Sequence, residues 1–431
     1  MGVRDRLNRL TGEDAPRHKE REAAGAREEM HALRRRIDAI MARRPQQKPV
    51  TATIRPDSRP LEKVIDGEER RNDHGACFVS TAVTAASIFH GHRPVGDGAA
   101  LDMRRAALLA GDARIARCSA GEGLFLDTET TGLSGGTGTT AFLIGLGWWD
   151  AGSFVTQQIF LRDFSDEAAA LALLNDIVKT RKFVITFNGK AFDIGLLRTR
   201  FILNRRSDPF ADMPHLDLLF PSRRLAGHRL ENSRLATLEA EILGFRRRGD
   251  VPGYEIPQRY FDWLRRRDAG VLEDVFLHNR FDVISMAVLA VHLSELIDPA
   301  GCDGGAVHDD LFAASRLLIE RGAHAEGVQI LETLANQGKG LLRNEAHKAL
   351  SLFHKRRGRW EEAVEIWGRM IGDDPADFFA LQEMAKWCEH RAGDFEKAMV
   401  LVDQALENAK ESSELWHALI YRRNRLCRRC R

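Results

Sequence analysis

From Gly123 the chain shows short apolar runs set apart by glycines and acidic residues. Leu124-Phe125-Leu126, Ala141 to Gly147 and Phe154 to Leu161 have the length and composition of strands, and their short glycine-containing connections predict an antiparallel meander. Glu167 to Lys179 then carries helical periodicity, and Phe183-Val184-Ile185-Thr186-Phe187 is a β-branched and aromatic run closed by Asn188-Gly189. A helix over Phe192 to Leu203 comes next, with further helical segments to Glu295, one of them running from Leu272 to Leu293. Strands first and helices after predict an α/β domain, a mixed sheet with flanking helices, over residues 121–299.

Upstream, Arg17 to Arg44 places Met30, Leu33, Ile37 and Ile40 at spacings of three and four, which predicts one amphipathic helix. Pro45, Pro49, Pro56 and Pro60 then break up the chain, so residues 1–60 read as a helix and a linker. Residues 61–120 show helical patterning around Ala99 to Leu109 and no assignable chemistry. Beyond Gly301 strand patterns stop and a repeat begins. Gly358-Arg359-Trp360-Glu361-Glu362-Ala363 returns as Gly393-Asp394-Phe395-Glu396-Lys397-Ala398, and more faintly as Gly322 to Gly327. A period near 34 residues with Gly, a bulky aromatic and a small Ala suits stacked helix–turn–helix units, since each pair must bury one face against the next. Residues 300–431 are therefore expected to form an all-α helical-repeat domain with a basic tail, against the plainer alternative of an unrelated helical bundle.

A length of 431 residues exceeds one ordinary domain and agrees with this division. Lys and Arg number 64 against 62 Asp and Glu, which excludes a uniformly basic nucleic-acid binder and leaves local basic patches open. The most apolar stretch, Ala141 to Trp149, is about half the roughly 20 residues that a membrane-spanning helix needs. The first 25 residues lack the apolar core of a secretory signal, so a cytoplasmic location without membrane attachment is expected. The six cysteines form neither a disulfide framework nor paired zinc knuckles, and Cys427-Arg428-Arg429-Cys430 lacks a second ligand pair.

Three clusters can carry chemistry. Asp127-Thr128-Glu129 ends an apolar strand, where alternation sends Asp127 and Glu129 to the same side. Asn188 to Asp193 leads from a buried-type strand into a helix, where Asp193 is equally suited to capping. His278 and Asp282 lie four apart on a helical run and so share a face. Each cluster alone is common on solvated surfaces. Together, four carboxylates and an imidazole are the inventory of a two-metal phosphodiesterase, in which hard oxygen ligands hold two divalent ions, Mg²⁺ or Mn²⁺, about 3.5–4 Å apart.

These motifs resemble those of the DEDD 3′–5′ exonucleases of the ribonuclease H-like superfamily. Asp127-Thr128-Glu129-Thr130-Thr131-Gly132-Leu133 looks like their first motif, Asn188 with Phe192-Asp193 like the second, and His278 with Asp282 like the third. Gly135-Gly136-Thr137-Gly138, His278-Asn279 with Asp282-Val283, and the trailing tetratricopeptide-like repeats resemble more narrowly the bacterial YprB-like proteins. The resemblance implies a metal-dependent exonuclease in which Asp127, Glu129, Asp193 and Asp282 bind the metals and His278 orients or deprotonates the attacking water. It places Asn188 beside the substrate, against the plainer alternative of closing the turn before the helix; Lys190 suits a phosphate contact or, equally, a solvated loop lysine, and Thr128 is taken as substrate-binding. His278 precedes Asp282 by four residues, the spacing that the tyrosine subgroup of the family shows rather than its histidine subgroup. Asp217 reads as a helix cap or salt-bridge partner. The implied partners are single-stranded or 3′-ended nucleic acid, with a protein partner for the helical repeats.

Between the second and third motifs, Arg223-Arg224, Arg246-Arg247-Arg248 and Arg265-Arg266-Arg267 flank Tyr254, Tyr260, Phe261 and Trp263. These residues suit a single-strand stacking platform or, equally, core aromatics beneath a charged face. Two rival functions stay open at this point: a non-catalytic scaffold on the same fold, and a structure-specific endonuclease using the same carboxylates.

Overall fold

The structure, a computed structural model, describes residues 58–132, 138–300, 308–410 and 413–429, all within one compact unit that begins at Arg55. The expected helix Arg17 to Arg44, the prolines up to Pro56, most of the Gly135–Gly138 loop, Cys302 and Cys430 lie outside the described residues.

Seven strands form one sheet. In spatial order β1 (Glu68–Asn72), β2 (Gly75–Thr84), β7 (Ser153–Phe160), β6 (Ala141–Asp150) and β5 (Gly123–Thr130) pair antiparallel, and β8 (Phe183–Thr186) and β9 (His215–Asp217) continue beyond β5 as parallel strands. β3 (Phe89–His90) and β4 (Arg93–Pro94) make a separate small ribbon. The β5–β6–β7 meander and β8 coincide with the apolar runs of the sequence. β1 and β2 come from residues 61–120, and β2 extends the sheet by pairing with β7 from Phe78–Phe160 to Thr84–Phe154. The charged β1 is exposed throughout and β2 buries four consecutive residues, so neither shows the alternation that marks a strand.

Helices cover both faces. In chain order they are α1 (Leu61–Val64), α2 (Met103–Ala110), α3 (Glu167–Lys179), α4 (Asp193–Leu203), α5 (Leu219–Ala226), α6 (Leu235–Leu238), α7 (Ile256–Arg266) and α8 (Glu273–Leu296). On one face Leu124, Leu126, Ile144, Leu146 and Val184 pack against α3 and α4 through Ala170, Leu174, Ile194 and Leu197. On the other, Phe125, Phe154 and Ile185 meet α8. From Val283 to Val291 every residue of α8 is buried, and all but Ser285 are apolar, as befits a helix enclosed on every side. Gly145 and Gly147 let α8 approach the sheet closely, since a Cβ at Gly147 would stand 2.5 Å from Val283 Cγ1.

The C-terminal region is all helical: α9 (His308–Glu320), α10 (His324–Gln337), α11 (Gly340–Arg356), α12 (Trp360–Asp373), α13 (Phe378–Trp387), α14 (Phe395–Glu407) and α15 (Glu414–Cys427). The three repeated segments fall at the α9–α10, α11–α12 and α13–α14 turns. Gly322, Gly358 and Gly393 adopt φ of +85°, +72° and +69° there, a left-handed conformation that favours glycine. Ala363 and Ala398 are fully buried one turn into the second helix of their pairs. No helix among the described residues is long and apolar enough to cross a membrane.

Candidate active site

β5 turns polar at its C-terminal end. Its alternation puts Asp127 and Glu129 on the Phe125 face, under α8, and Thr128 on the opposite face with Leu124 and Leu126. The register of its pairing with β6 shifts between Glu129 and Thr130. Asp127 Oδ2 accepts a 2.8 Å hydrogen bond from Nδ2 of the fully buried Asn279 on α8. Asn279 Oδ1 in turn accepts from Gln158 Nε2 at 2.9 Å, and Gln158 also donates to the Phe276 carbonyl at 2.8 Å. Gly145 makes room for this arrangement, because a Cβ there would lie 2.2 Å from Asn279 Oδ1.

Asp193 is the first residue of α4, where the helix dipole favours a carboxylate, and its Oδ1 accepts the Thr128 hydroxyl. The loop that delivers it is braced from β9. Asp217, 2% exposed, accepts from the backbone N–H groups of Asn188 at 2.7 Å, Lys190 at 2.9 Å and Leu219 at 3.1 Å. Asn188 holds φ +68° under this clamp. The cap reading of Asp217 therefore describes only its bond to Leu219; the same carboxylate also fixes the Asn188–Lys190 turn.

His278 and Asp282 stand one turn apart on α8, with His278 Nε2 3.5 Å from Asp282 Oδ2 and 4.0 Å from Glu129 Oε1. His278 Nδ1 meets Asp250 Oδ1 at 2.7 Å. Arg247 Nη1 lies 3.2 Å from the same nitrogen, and because a carboxylate can only accept, Nδ1 donates to Asp250 while Nε2 faces the acidic cluster. Arg247, only 6% exposed, lies behind the pair. Its guanidinium donates to Glu239 through Nε at 2.8 Å and Nη2 at 2.5 Å, to Asp250 at 3.3 Å, and to Asp282 Oδ1. Ser285 donates to Glu239 and meets His90 Nε2 at 2.7 Å, so a buried chain of polar groups runs from β3 to Asp282.

The electrostatics are those of crowded anions. Burial, followed by repulsion from Asp282, Glu129 and Asp193, lifts Asp127 well above the usual carboxylate range against the opposing Asn279 bond. Burial and the charges of Asp282 and Asp193 lift Glu129 likewise against the pull of Arg247. Burial raises Asp193 to about 6 despite its Thr128 bond. Among the described residues, Glu129, His278 and Asp282 each offer a donor atom within 4.8 Å of the others, a set able to hold a metal ion. Asp127 and Asp193 flank that set.

Asp127, Glu129, Asp193, Asp282 and His278 thus come together, with Asn188 and Lys190 on the adjoining loop and the Thr128 hydroxyl turned to Asp193. The arginine and aromatic segment divides. Tyr260 is fully buried and stacks on Phe142 at 4.1 Å between ring centroids, and Trp263 is also in the core, whereas Tyr254 is exposed. Arg247 belongs to the carboxylate site rather than to a surface platform. Glu239, Asp250, Gln158 and Gly145 escaped the sequence reading, because none stands in a local pattern that separates it from ordinary surface or strand residues.

Residues 124–294 match the profile of the RNase H superfamily, a span that runs from β5 to the end of α8 and contains the whole carboxylate cluster. The Bacillus subtilis (strain 168) protein described as "Uncharacterized protein YprB" is 33% identical over 294 residues, which cover 67% of this chain and 70% of the relative. A likeness of that extent, on a sheet in which an interior strand ends in the clustered carboxylates, means that the chain belongs to the RNase H superfamily and to the family of YprB within it.

Proposed function

We propose that the protein is a metal-dependent 3′–5′ exonuclease of DEDD type that hydrolyses nucleic-acid phosphodiester bonds at Asp127, Glu129, Asp193, Asp282 and His278. The observation that carries this reading is the convergence of four carboxylates at the end of β5, two of them lifted well above their usual range by burial and mutual repulsion. Such a cluster is anionic only when more positive charge arrives than Arg247 supplies, and hard oxygen donors suit Mg²⁺ or Mn²⁺. We assign the four carboxylates to two such ions. When bound, the ions stabilise charge on the attacking and leaving oxygens of an in-line displacement.

The remaining roles belong to the chain's own groups. His278 accepts the proton of the attacking water at Nε2, while Asp250 holds Nδ1–H and stabilises the imidazolium that forms. Thr128 orients Asp193, and Asn279 with Gln158 behind it orients Asp127. Asn188 and the exposed Lys190 lie on the loop that meets the substrate. Membership of the RNase H superfamily supports a nuclease-type activity. We read the paired helices of residues 300–431 as tetratricopeptide-like repeats that provide a second binding surface.

The test is nucleotide release from 3′-labelled and 5′-labelled single-stranded DNA and RNA with Mn²⁺ or Mg²⁺, comparing the natural protein with Asp127→Ala. The expected result is early release of the 3′ label, abolished by Asp127→Ala or by chelation, with circular strands left intact. Cleavage of circles would establish an endonuclease instead. Inactivity on every substrate by folded protein with metal bound would favour the scaffold.

A further inference from the structure

Where the helical region meets the sheet domain, a groove of about 650 Å³ runs between α5, α9, α10, α11 and α13. Its floor is apolar and includes the partly exposed rings of Phe312 and Phe379 beside the buried Phe353. Its rim is cationic: Arg224 from α5, Arg316 from α9, and Lys348 and Arg356 from α11. Two carboxylates share the rim, but Glu320 is paired with Arg224 and Glu345 with Lys348. Arg316 and Arg356 are exposed and have no carboxylate partner among the described residues, so the groove carries uncompensated positive charge.

We propose that this groove binds a single strand of nucleic acid and guides it to the carboxylate site, an inference that rests on the hydrolytic reading given above. Three features favour a nucleic-acid strand over an acidic peptide. Lys348, Leu352 and Arg356 succeed one another at four-residue spacing along one face of α11, so the two cations are about 12 Å apart, an elongated track rather than a point anion site. The rings beside them supply the sequence-tolerant stacking that single strands use, and Lys348 Nζ already lies 5.9 Å from the Phe379 ring centre. The groove is also tied to the site through α5. α5 starts two residues after Asp217, the clamp of the Asn188–Lys190 loop, and Arg224 lies only about 8 Å of helix further on.

The test uses the full chain carrying Asp127→Ala, so that binding is read without hydrolysis, and a fluorescein-labelled 20-nucleotide oligo(dT) or oligo(U) monitored by anisotropy. Arg316→Glu with Arg356→Glu changes two exposed side chains and should leave the thermal midpoint unaltered. The expected result is at least tenfold weaker binding and a salt dependence shallower by about 1.4 in slope, the value for two lost phosphate contacts on a single strand. In the protein with Asp127 intact, the same pair should leave hydrolysis of the p-nitrophenyl ester of thymidine 5′-monophosphate unchanged, because that ester is too small to reach the groove. Unaltered oligonucleotide affinity and slope would overturn the proposal. So would a double substitution that abolished binding of a polyglutamate peptide but not of the oligonucleotide. If the natural protein failed to hydrolyse the ester, the hydrolytic reading would fail while the binding result stood on its own.

Discussion

Arg247 joins Glu239 to Asp282: one guanidinium, nearly sealed from solvent, donates to a carboxylate that is 1% exposed and to the last acidic residue of the site. Burial works against its charge, but Asp282 and Glu239 more than offset this and raise its pKa. Replacing it by glutamine strands a buried anion, which typically costs about 3–5 kcal/mol. Arg247→Gln is therefore expected to lower the denaturant midpoint sharply. Arg247→Lys keeps the charge but loses the fork that reaches Glu239 and Asp282 together, so it should fall between. Urea unfolding of the three proteins checks this, and an unchanged midpoint in Arg247→Gln would contradict it.

Gly145→Ala is expected to act at a distance from its own strand. The added methyl would stand 2.2 Å from Asn279 Oδ1 and must push Asn279 off Asp127. Overpacking of this kind costs about 1–3 kcal/mol. The readouts are thermal stability and Mn²⁺ affinity by calorimetry, both expected to fall; retention of both would show that α8 can shift without cost.

His278→Gln separates two roles of one imidazole. As the base, its loss should reduce kcat by about 10²–10⁴ and leave Mn²⁺ affinity almost unchanged. A parallel fall in Mn²⁺ affinity would instead make Nε2 a ligand beside Glu129 and Asp282, as their spacing allows.

Acid should destabilise the fold through histidines outside the carboxylate cluster. Burial, reinforced by Arg247 and Arg93 respectively, pushes His90 and His292 down to about 4. A histidine in the unfolded chain titrates near 6.5. Between these values the unfolded chain binds more protons, so this contribution is complete above about pH 6.5 and is lost as pH falls toward 4. The raised carboxyls of Asp127, Glu129 and Asp193 act with the opposite sign over the same window, so the readout is the difference between two proteins: from pH 7.5 to 4.5 the urea midpoint of His90→Gln with His292→Gln should gain on that of the natural protein, and parallel curves would contradict the assignment.

The range of each interaction decided whether the sequence disclosed it. The two-residue period of β5 put Asp127 and Glu129 on one side, and the four-residue spacing in α8 put His278 and Asp282 on one face; both are local rules and both hold in the structure. The repeated Gly322, Gly358 and Gly393 likewise marked real turns between paired helices. β1 was hidden because it is charged and exposed throughout, and β2 because its burial comes from β7 and α3 rather than from any alternation of its own. Tyr260 and Arg247 were hidden for the converse reason. A ring that stacks on Phe142 and a guanidinium that neutralises Glu239 look, in sequence, like any aromatic or arginine in a basic segment.

The bond from Asn279 to Asp127 also sets an order of events in the cell. Its two ends are 152 residues apart, so at ~5–20 residues per second a ribosome takes about 8–30 s to make the second after the first. Until α8 emerges, β5 carries its acidic end without Asn279, His278 or Asp282. The acidic end of β5 is thus made long before the groups that complete the cluster, which closes only when most of the sheet domain has left the exit tunnel.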